Sequence, residues 1–148
     1  MQPVFFKSNV EQDILLVASQ EDCIYINLKD QIEVDVDRNY SVSAIKEIIY
    51  DHEDGVFYML ANKFEEKLGF FVFTLQEKDP YQSKFYIKYK NKLDIGDCDI
   101  NVLRDIDTKV KELVISYKTI YINTYNVIVI DIANGGSSNN VVFQHESF

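Results

Sequence analysis

Residues 48–60, IIYDHEDGVFYML, place a polar turn ending in Asp54-Gly55 between two apolar runs. An Asp-Gly pair flanked by strand-favouring residues is among the strongest short-range indications of a β-hairpin. The flanking runs are rich in Ile, Val, Phe and Tyr, which suit a pleated and half-buried surface. This stretch therefore predicts two antiparallel strands joined by a tight turn.

Comparable patterns extend in both directions from this hairpin. Residues 14–18 form a continuous apolar run, and a turn-like tetrapeptide at 19–22 separates it from residues 23–28. Residues 32–37 alternate between apolar and acidic side chains, which is the two-residue period of a strand. Further strand-like segments are residues 70–75, 84–90, 113–117, 120–122 and 127–130. The sequence predicts a mainly β fold, an antiparallel meander of propeller-like or sandwich sheets.

Residues 101–115 fit two interpretations. The apolar residues from Val102 to Val114 recur at helical spacing, and Asp99 or Asn101 is a suitable helix cap. The competing interpretation is strand, turn and strand, and the β-branched residues on the C-terminal side favour it. The alternative fold class is therefore α+β, with one helix near residues 101–115. Residues 43–50 are ambiguous in the same way.

Two segments resemble β-propeller blades. The first comprises residues 45–51 and, after the turn, 56–61; the second comprises residues 112–122 and closes with 128–135. A blade is a four-stranded meander that often ends in a strand, an acidic residue and a glycine, and the resemblance spans about residues 43–135. The Trp-Asp signature of WD-repeat propellers is absent, since the chain has no Trp.

The propeller resemblance has a consequence for assembly. At ~40–50 residues a blade, the chain holds about three blades, whereas closed propellers use about four to eight. An open array leaves strand edges that invite pairing with another chain. The resemblance therefore implies a sheet or propeller completed by a partner or by further sequence.

The length of 148 residues predicts a single domain. A loose polar stretch at 134–140, NGGSSNN, divides it into a mainly β domain over 1–135 and a tail. The tail, residues 136–148, is expected to be a loose C-terminal loop or a final strand.

The net charge of −9 is concentrated in residues 1–60, where 4 basic and 12 acidic residues give −8. Such a negative field repels nucleic acid and anionic membranes and attracts a basic partner. No apolar run approaches the ~18 residues of a membrane helix, and residues 1–7 lack the basic start of a secretion signal. The expectation is a cytoplasmic chain with a protein partner or an oligomeric state, and no nucleic acid or membrane partner.

The residues that most often carry chemistry are few. His52 lies in an acidic turn and His145 lies near the end of the chain, neither beside a Ser or Cys in a predicted pocket. Residues 97–101, DCDIN, begin like a calcium loop, but Val102 and Thr108 occupy the required Gly and Glu positions. The five glycines match no nucleotide-binding pattern. The sequence predicts no catalytic, cofactor-binding or metal-binding residue, and hence not an enzyme.

Two charged stripes are the candidates for contact with a partner. An acidic stripe alternates with apolar residues on one predicted strand, and a basic stripe with one aromatic lies on another. Their members are Glu33, Asp35 and Asp37, and Lys84, Tyr86 and Lys88.

The functional hypothesis that follows is a non-enzymatic protein–protein interaction module, a structural component of a larger assembly. Surfaces rich in Tyr and strands suit protein contacts, because Tyr is large and amphipathic. The alternative hypothesis is a small acidic inhibitor or immunity-type protein that binds a basic partner.

Overall fold

A computed structural model of the chain describes residues 5–19, 22–36, 42–63, 70–89, 95–105, 107, 111–119, 124–131 and 141–146. Within these ranges the chain forms twelve strands in three four-stranded sheets. The first sheet contains β1 (Phe5–Ser8), β2 (Ile14–Ala18), β3 (Cys23–Asn27) and β4 (Ile32–Asp35). The middle sheet contains β5 (Val42–Asp51), β6 (Val56–Lys63), β7 (Phe70–Gln76) and β8 (Ser83–Tyr89). The third sheet contains β9 (Ile95–Arg104), β10 (Lys111–Thr119), β11 (Thr124–Asp131) and β12 (Val141–Glu146).

Each sheet is a simple meander. Strands that follow one another in sequence are neighbours in space, and every pairing is antiparallel. The prediction of a mainly β, antiparallel meander is therefore confirmed.

The helical alternative for residues 101–115 is wrong. This segment contains the end of β9 and the start of β10, which pair from Arg104↔Lys111 onwards. Burial alternates strictly along residues 111–117, which is the period of a strand and not of a helix. β-Branched residues at 110, 114 and 115 oppose the helix through restricted side-chain rotation, and tertiary packing selects the strand. Residues 43–50 are likewise part of a strand, β5.

The hairpin between β5 and β6 has the turn that its sequence predicts. Asp51 pairs with Val56 across a turn of residues 52–55. Gly55 has a φ of +62°, in the left-handed region that favours glycine. A Cβ atom at this position would lie 3.3 Å from the side chain of Glu77, so the turn also needs the space.

Two cores hold the three sheets together, one on each face of the middle sheet. The first core joins the first and middle sheets, and the second core joins the middle and third sheets. The first includes Leu16, Tyr25, Val34, Phe57, Met59, Phe73 and Leu75. The second includes Val56, Tyr58, Leu60, Val72, Ile100, Leu113, Ile115 and Tyr117. The middle sheet is thus covered on both faces.

The first strands of the three meanders lie beside one another. β5 packs against β1 on one side and against β9 on the other. The charges of Lys7 on β1 and Asp99 on β9 both act on the carboxyl group of Glu47 on β5. Burial and the nearby Asp99 raise the pKa of Glu47, while Lys7 opposes that shift. The three sheets therefore converge along their first strands. The last strand, β12, lies beyond residue 135 and pairs with β11.

Candidate functional site

A cleft of about 390 Å³ opens where the end of β5 and its turn meet β9. Charged side chains of the middle and third sheets form ion pairs beside it. The lining residues are Ile49, Tyr50, Asp51, His52, Glu53, Asn101, Val102 and Arg104. His52 is exposed on the turn.

Three of the lining residues, Asp51, Glu53 and Arg104, form an ion cluster with Asp54 and Lys111. Nη2 of Arg104 lies 2.6 Å from Oδ2 of Asp51, and its Nε lies 2.7 Å from Oε2 of Glu53. Nζ of Lys111 donates to the carboxylates of both Asp51 and Asp54. The cluster therefore joins the β5–β6 turn to the strands on either side of the β9–β10 turn.

The centre of the ion cluster is buried. The side chains of Asp51 and Lys111 are 6% and 9% exposed. Burial alone would raise the pKa of Asp51, but hydrogen bonds from Arg104 and Lys111 outweigh it and lower that pKa. Burial would lower the pKa of Lys111, yet its bonds to Asp51, Asp54 and Tyr58 raise it.

These shifts define what the ion cluster does chemically. Asp51 and Lys111 are both held in their charged forms, and each charge is met by an opposite one. A general acid or base needs a pKa moved towards neutrality, whereas these pKa values are moved away from it. The arrangement is that of a structural ion pair network sealing the edge of the second core.

A different polar contact closes the seam between the first and middle sheets. The hydroxyl of Tyr25 donates to the backbone carbonyl of Glu77 over 2.5 Å, and the hydroxyl of Tyr50 donates to the Glu77 carboxylate. The backbone N–H of Glu77 donates in turn to the carbonyl of Gly55 over 2.9 Å. Glu77 therefore ties one residue of the first sheet to the hairpin of the middle sheet.

The acidic stripe predicted from the sequence lies at the edge of the first sheet. Glu33 is exposed and Asp35 is half-buried on β4, an edge strand. They pair with Ile26 and Ile24 of β3 and share their face of the sheet. Asp37 lies outside the described residues.

The basic stripe predicted from the sequence lies on β8, the edge strand of the middle sheet. Lys84 pairs with Thr74, and Lys88 pairs with Phe71. The register shifts between these pairs, and Tyr86 is left opposite no residue of β7. The two-residue alternation of the sequence alone therefore does not place Lys84, Tyr86 and Lys88 on one face of the sheet. The two stripes belong to different sheets.

The outer face of the first sheet carries an apolar patch that the charged stripes did not indicate. The first-sheet patch consists of Phe6, Leu15, Val17, Ile24 and Ile26. The register aligns Phe6, Val17 and Ile24 in one row and Leu15 with Ile26 in the next. Phe6 is 70% exposed and the other four are half-buried. Among the described residues, neither core includes a member of this face.

The outer face of the third sheet carries a second apolar patch. The third-sheet patch consists of Leu103, Val114, Val127 and Val129. Val114 pairs with Val129, and it alternates along β10 with the buried Leu113 and Ile115. Glu112 and Ser116 share the outer face of β10 with Val114, so polar side chains interrupt this patch. Leu103 is 57% exposed, and the three valines are half-buried. Both end sheets therefore present apolar side chains outward.

Sequence reasoning missed the ion cluster for a physical reason. Arg104 and Lys111 lie 53 and 57 residues from the carboxylates that they contact. No local pattern links positions so far apart. The first-sheet patch did have a visible indication, since the continuous apolar run at residues 14–18 leaves no polar face for solvent.

No protein-family model matches the chain, and no curated protein matches its sequence. In the part of the chain that the structure describes, no cluster of three or more His, Cys, Asp or Glu side chains is placed to hold a metal ion. The same described ranges contain no helix of the length and apolarity needed to cross a membrane.

Proposed function

We propose that the chain is a non-enzymatic protein–protein interaction module and a structural component of a larger assembly. The observation that carries the proposal is the pair of outward apolar patches on the two end sheets. An antiparallel sheet with one solvated face normally alternates apolar and polar side chains. On β2 and β3 the outward positions Leu15, Val17, Ile24 and Ile26 are all apolar instead.

Patches of this kind favour contact with another macromolecule. Contiguous apolar surface on a folded protein commonly marks an interaction site. At ~25 cal/mol for each Å² removed from water, covering several half-exposed aliphatic side chains is worth several kcal/mol. The apolar centre of the first-sheet patch is bordered by Glu33 and Asp35 on β4, and a polar rim around an apolar centre is usual for protein interfaces.

The ion cluster supports the non-enzymatic part of the proposal. Its buried charges are matched within the molecule, and the pKa directions of Asp51 and Lys111 disfavour proton transfer near neutral pH. Its role in this proposal is to fix the middle and third sheets relative to each other.

The proposal is tested by substituting the patch inside cells. A tagged chain is expected to sediment within a larger complex, and Ile24→Lys is expected to release it. Gln76→Lys, which adds the same charge at an exposed position of the middle sheet, is the matched control. Identical sedimentation of the wild type and the Ile24→Lys variant would remove the support that the patch gives.

An acidic inhibitor of a basic partner is the second candidate, and the placement of Glu33 and Asp35 favours it. Both lie beside the apolar patch and on the same face, so a basic partner docked there would meet both features. Binding would then weaken with salt, because exposed charges are screened beyond about 10 Å at 0.1 M ionic strength. The E33Q/D35N double variant should lose this salt dependence, and unchanged salt dependence would count against the inhibitor.

A further inference from the structure

The three sheets repeat one packing relation along the chain. Each sheet has two faces. Its preceding face is the side of the sheet that comes before it in sequence, and its following face is the side of the sheet that comes after it. The following face of the first sheet packs on the preceding face of the middle sheet, through residues such as Leu16 and Met59. The following face of the middle sheet packs in the same way on the preceding face of the third sheet, through Leu60 and Leu113.

Among the described residues, this relation leaves one face of each kind without a neighbouring sheet. The first-sheet patch is on the preceding face of the first sheet, and the third-sheet patch is on the following face of the third sheet. These are the two kinds of face that pack on each other twice within the chain.

The first-sheet patch matches the covered preceding face of the middle sheet strand by strand, and the third-sheet patch matches the covered following face mainly on its third strand. The preceding face of the middle sheet is apolar on its second and third strands, at Phe57, Met59, Ala61, Phe73 and Leu75. The same strands of the first sheet present Leu15, Val17, Ile24 and Ile26. The following face of the middle sheet has Val56, Tyr58, Leu60 and Val72 on these strands. The third sheet has Val114 between Glu112 and Ser116 on its second strand, and Val127 and Val129 on its third strand.

We propose that a second copy of this chain covers both patches, with the third-sheet patch of one copy on the first-sheet patch of the other. The inference rests on the proposed function, since it names the partner of that surface. The contact is head-to-tail, so each copy uses two different faces, and such contacts close into rings when the rotation permits.

The number of sheets selects two copies. Four-stranded meanders that converge along their first strands and stack face to face close into rings of about four to eight sheets. One copy provides three sheets, two copies provide six, and three copies would provide nine. A pair is the only whole number of copies within the range.

The central measurement is the mass of the purified 148-residue chain by sedimentation equilibrium over a concentration series. The expected mass is twice the 17.3 kDa of one chain. Ile24→Lys and Val114→Lys each place a charge in both contacts of the ring. Each is therefore expected to raise the dissociation constant on the order of 100-fold, the effect of a charge buried without a partner. Gln76→Lys is the control and should leave the mass doubled.

Mixing the two variants tests the head-to-tail arrangement. In the mixture, one contact combines the unaltered patch of each chain and the other combines both substitutions. A mixed pair is therefore expected to form with an affinity between those of the wild type and either variant alone. Val17→Thr and Val114→Thr, which keep branched strand-forming side chains, repeat the comparison if a lysine variant fails to fold.

Three results would overturn the inference. One is a mass of 17.3 kDa at every concentration, as would follow if another segment of the same chain covered the patches. Another is a doubled mass that only Ile24→Lys abolishes, which would indicate a symmetric contact between first-sheet patches. The third is an oligomer of three or more copies. A purified monomer whose wild type, but not its Ile24→Lys variant, joins a larger complex in cells would overturn the second copy and retain the proposed function.

Discussion

The middle sheet and the first sheet have similar apolar patterns and different surroundings. Both have apolar side chains on the two faces of their second and third strands. In the middle sheet these faces are covered by the neighbouring sheets, and Phe57 through Ala61 are all buried. In the first sheet the described residues cover one face, and Leu15 and Val17 remain half-exposed between buried neighbours.

The outer face of β2 has the apolar pattern of a covered face, although no described residue belongs to a core on that side. A strand buried on both sides is a continuous apolar run, and a strand with one solvated side alternates. β2 has the continuous pattern, whereas β4 alternates and has the exposed Glu33 on its outer side.

The largest expected effect comes from the same truncation made in both sheets. Leu60→Ala, at a fully buried position of the middle sheet, should lower the free energy of unfolding by about 3–5 kcal/mol through lost burial and a residual cavity. Leu15→Ala, at a half-buried position of the first-sheet patch, should cost about 1 kcal/mol in dilute solution.

Chemical denaturation at two protein concentrations checks this pair of variants. The loss for Leu15→Ala should grow with concentration if the patch is covered by association, whereas the loss for Leu60→Ala should not. Equal losses for the two variants in dilute solution would contradict the difference in surroundings.

The next effect concerns the ion cluster that only the middle and third sheets share. Arg104→Met should lower the free energy of unfolding by about 2 kcal/mol, because it leaves the buried Asp51 with fewer donors. Lys29→Met, at an exposed turn of the first sheet, should change it by less than about 0.5 kcal/mol. Similar losses for both variants would show that the cluster adds no more than a surface lysine does.

The ion cluster also predicts a dependence on pH. The pKa values of Asp51 and Asp54 are lower in the folded protein than their ordinary values. Their contribution is therefore present above the pKa of the unfolded chain and is lost as pH falls through the folded values. Urea unfolding at stepped pH should show stability falling on acidification below about pH 5, less steeply in Arg104→Met than in the wild type. Identical slopes would contradict the assigned pairing.

The strands could be predicted from the sequence because the features that determine them are local. The position of the hairpin turn at residues 52–55 is indicated by the polar stretch that ends in Asp54-Gly55, and alternation identifies the outer and inner positions of β4. Residues 101–115 were ambiguous because apolar spacing there suits both a helix and two strands. Packing of Leu113 and Ile115 into the second core decides in favour of strands.

The candidate site was harder to predict from the sequence, because its residues come together only when the sheets stack. Asp51 and Lys111 belong to different meanders, and no periodicity relates them. The stripe from Lys84 to Lys88 assumed uninterrupted alternation, and the register shift at Tyr86 is a feature that propensity alone does not reveal. The partner-binding role of these stripes stays a prediction.

A smaller effect is expected at the β5–β6 turn, which contributes contacts to the seam with the first sheet and to the seam with the third sheet. Gly55→Ala should lower the free energy of unfolding by about 1–2 kcal/mol, because a side chain at φ +62° is strained and crowds Glu77. Gly55→Asn should cost less in backbone strain, since Asn tolerates this conformation better. Thermal melting of the two variants checks the order, and a larger loss for Asn would point to crowding by Glu77 as the main cost.

The smallest effect concerns the tyrosine hydroxyl groups that bond to Glu77 beside the seam between the first and middle sheets. Tyr50→Phe removes the bond to the Glu77 carboxylate and should cost about 1 kcal/mol at neutral pH. Burial, then the bond to Glu77 and its negative charge, raise the pKa of Tyr50 above its ordinary value of 10.0.

A raised tyrosine pKa stabilises the folded protein below the unfolded value and ceases to do so as pH rises beyond it. The wild type should therefore lose stability above about pH 10 more steeply than Tyr50→Phe does, and the two should converge in alkali. Denaturation curves at stepped alkaline pH measure this difference. Parallel curves would show that Tyr50 ionises as freely in the folded chain as in the unfolded chain. The seam with the first sheet and the seam with the third sheet would then differ only in the charges of the ion cluster.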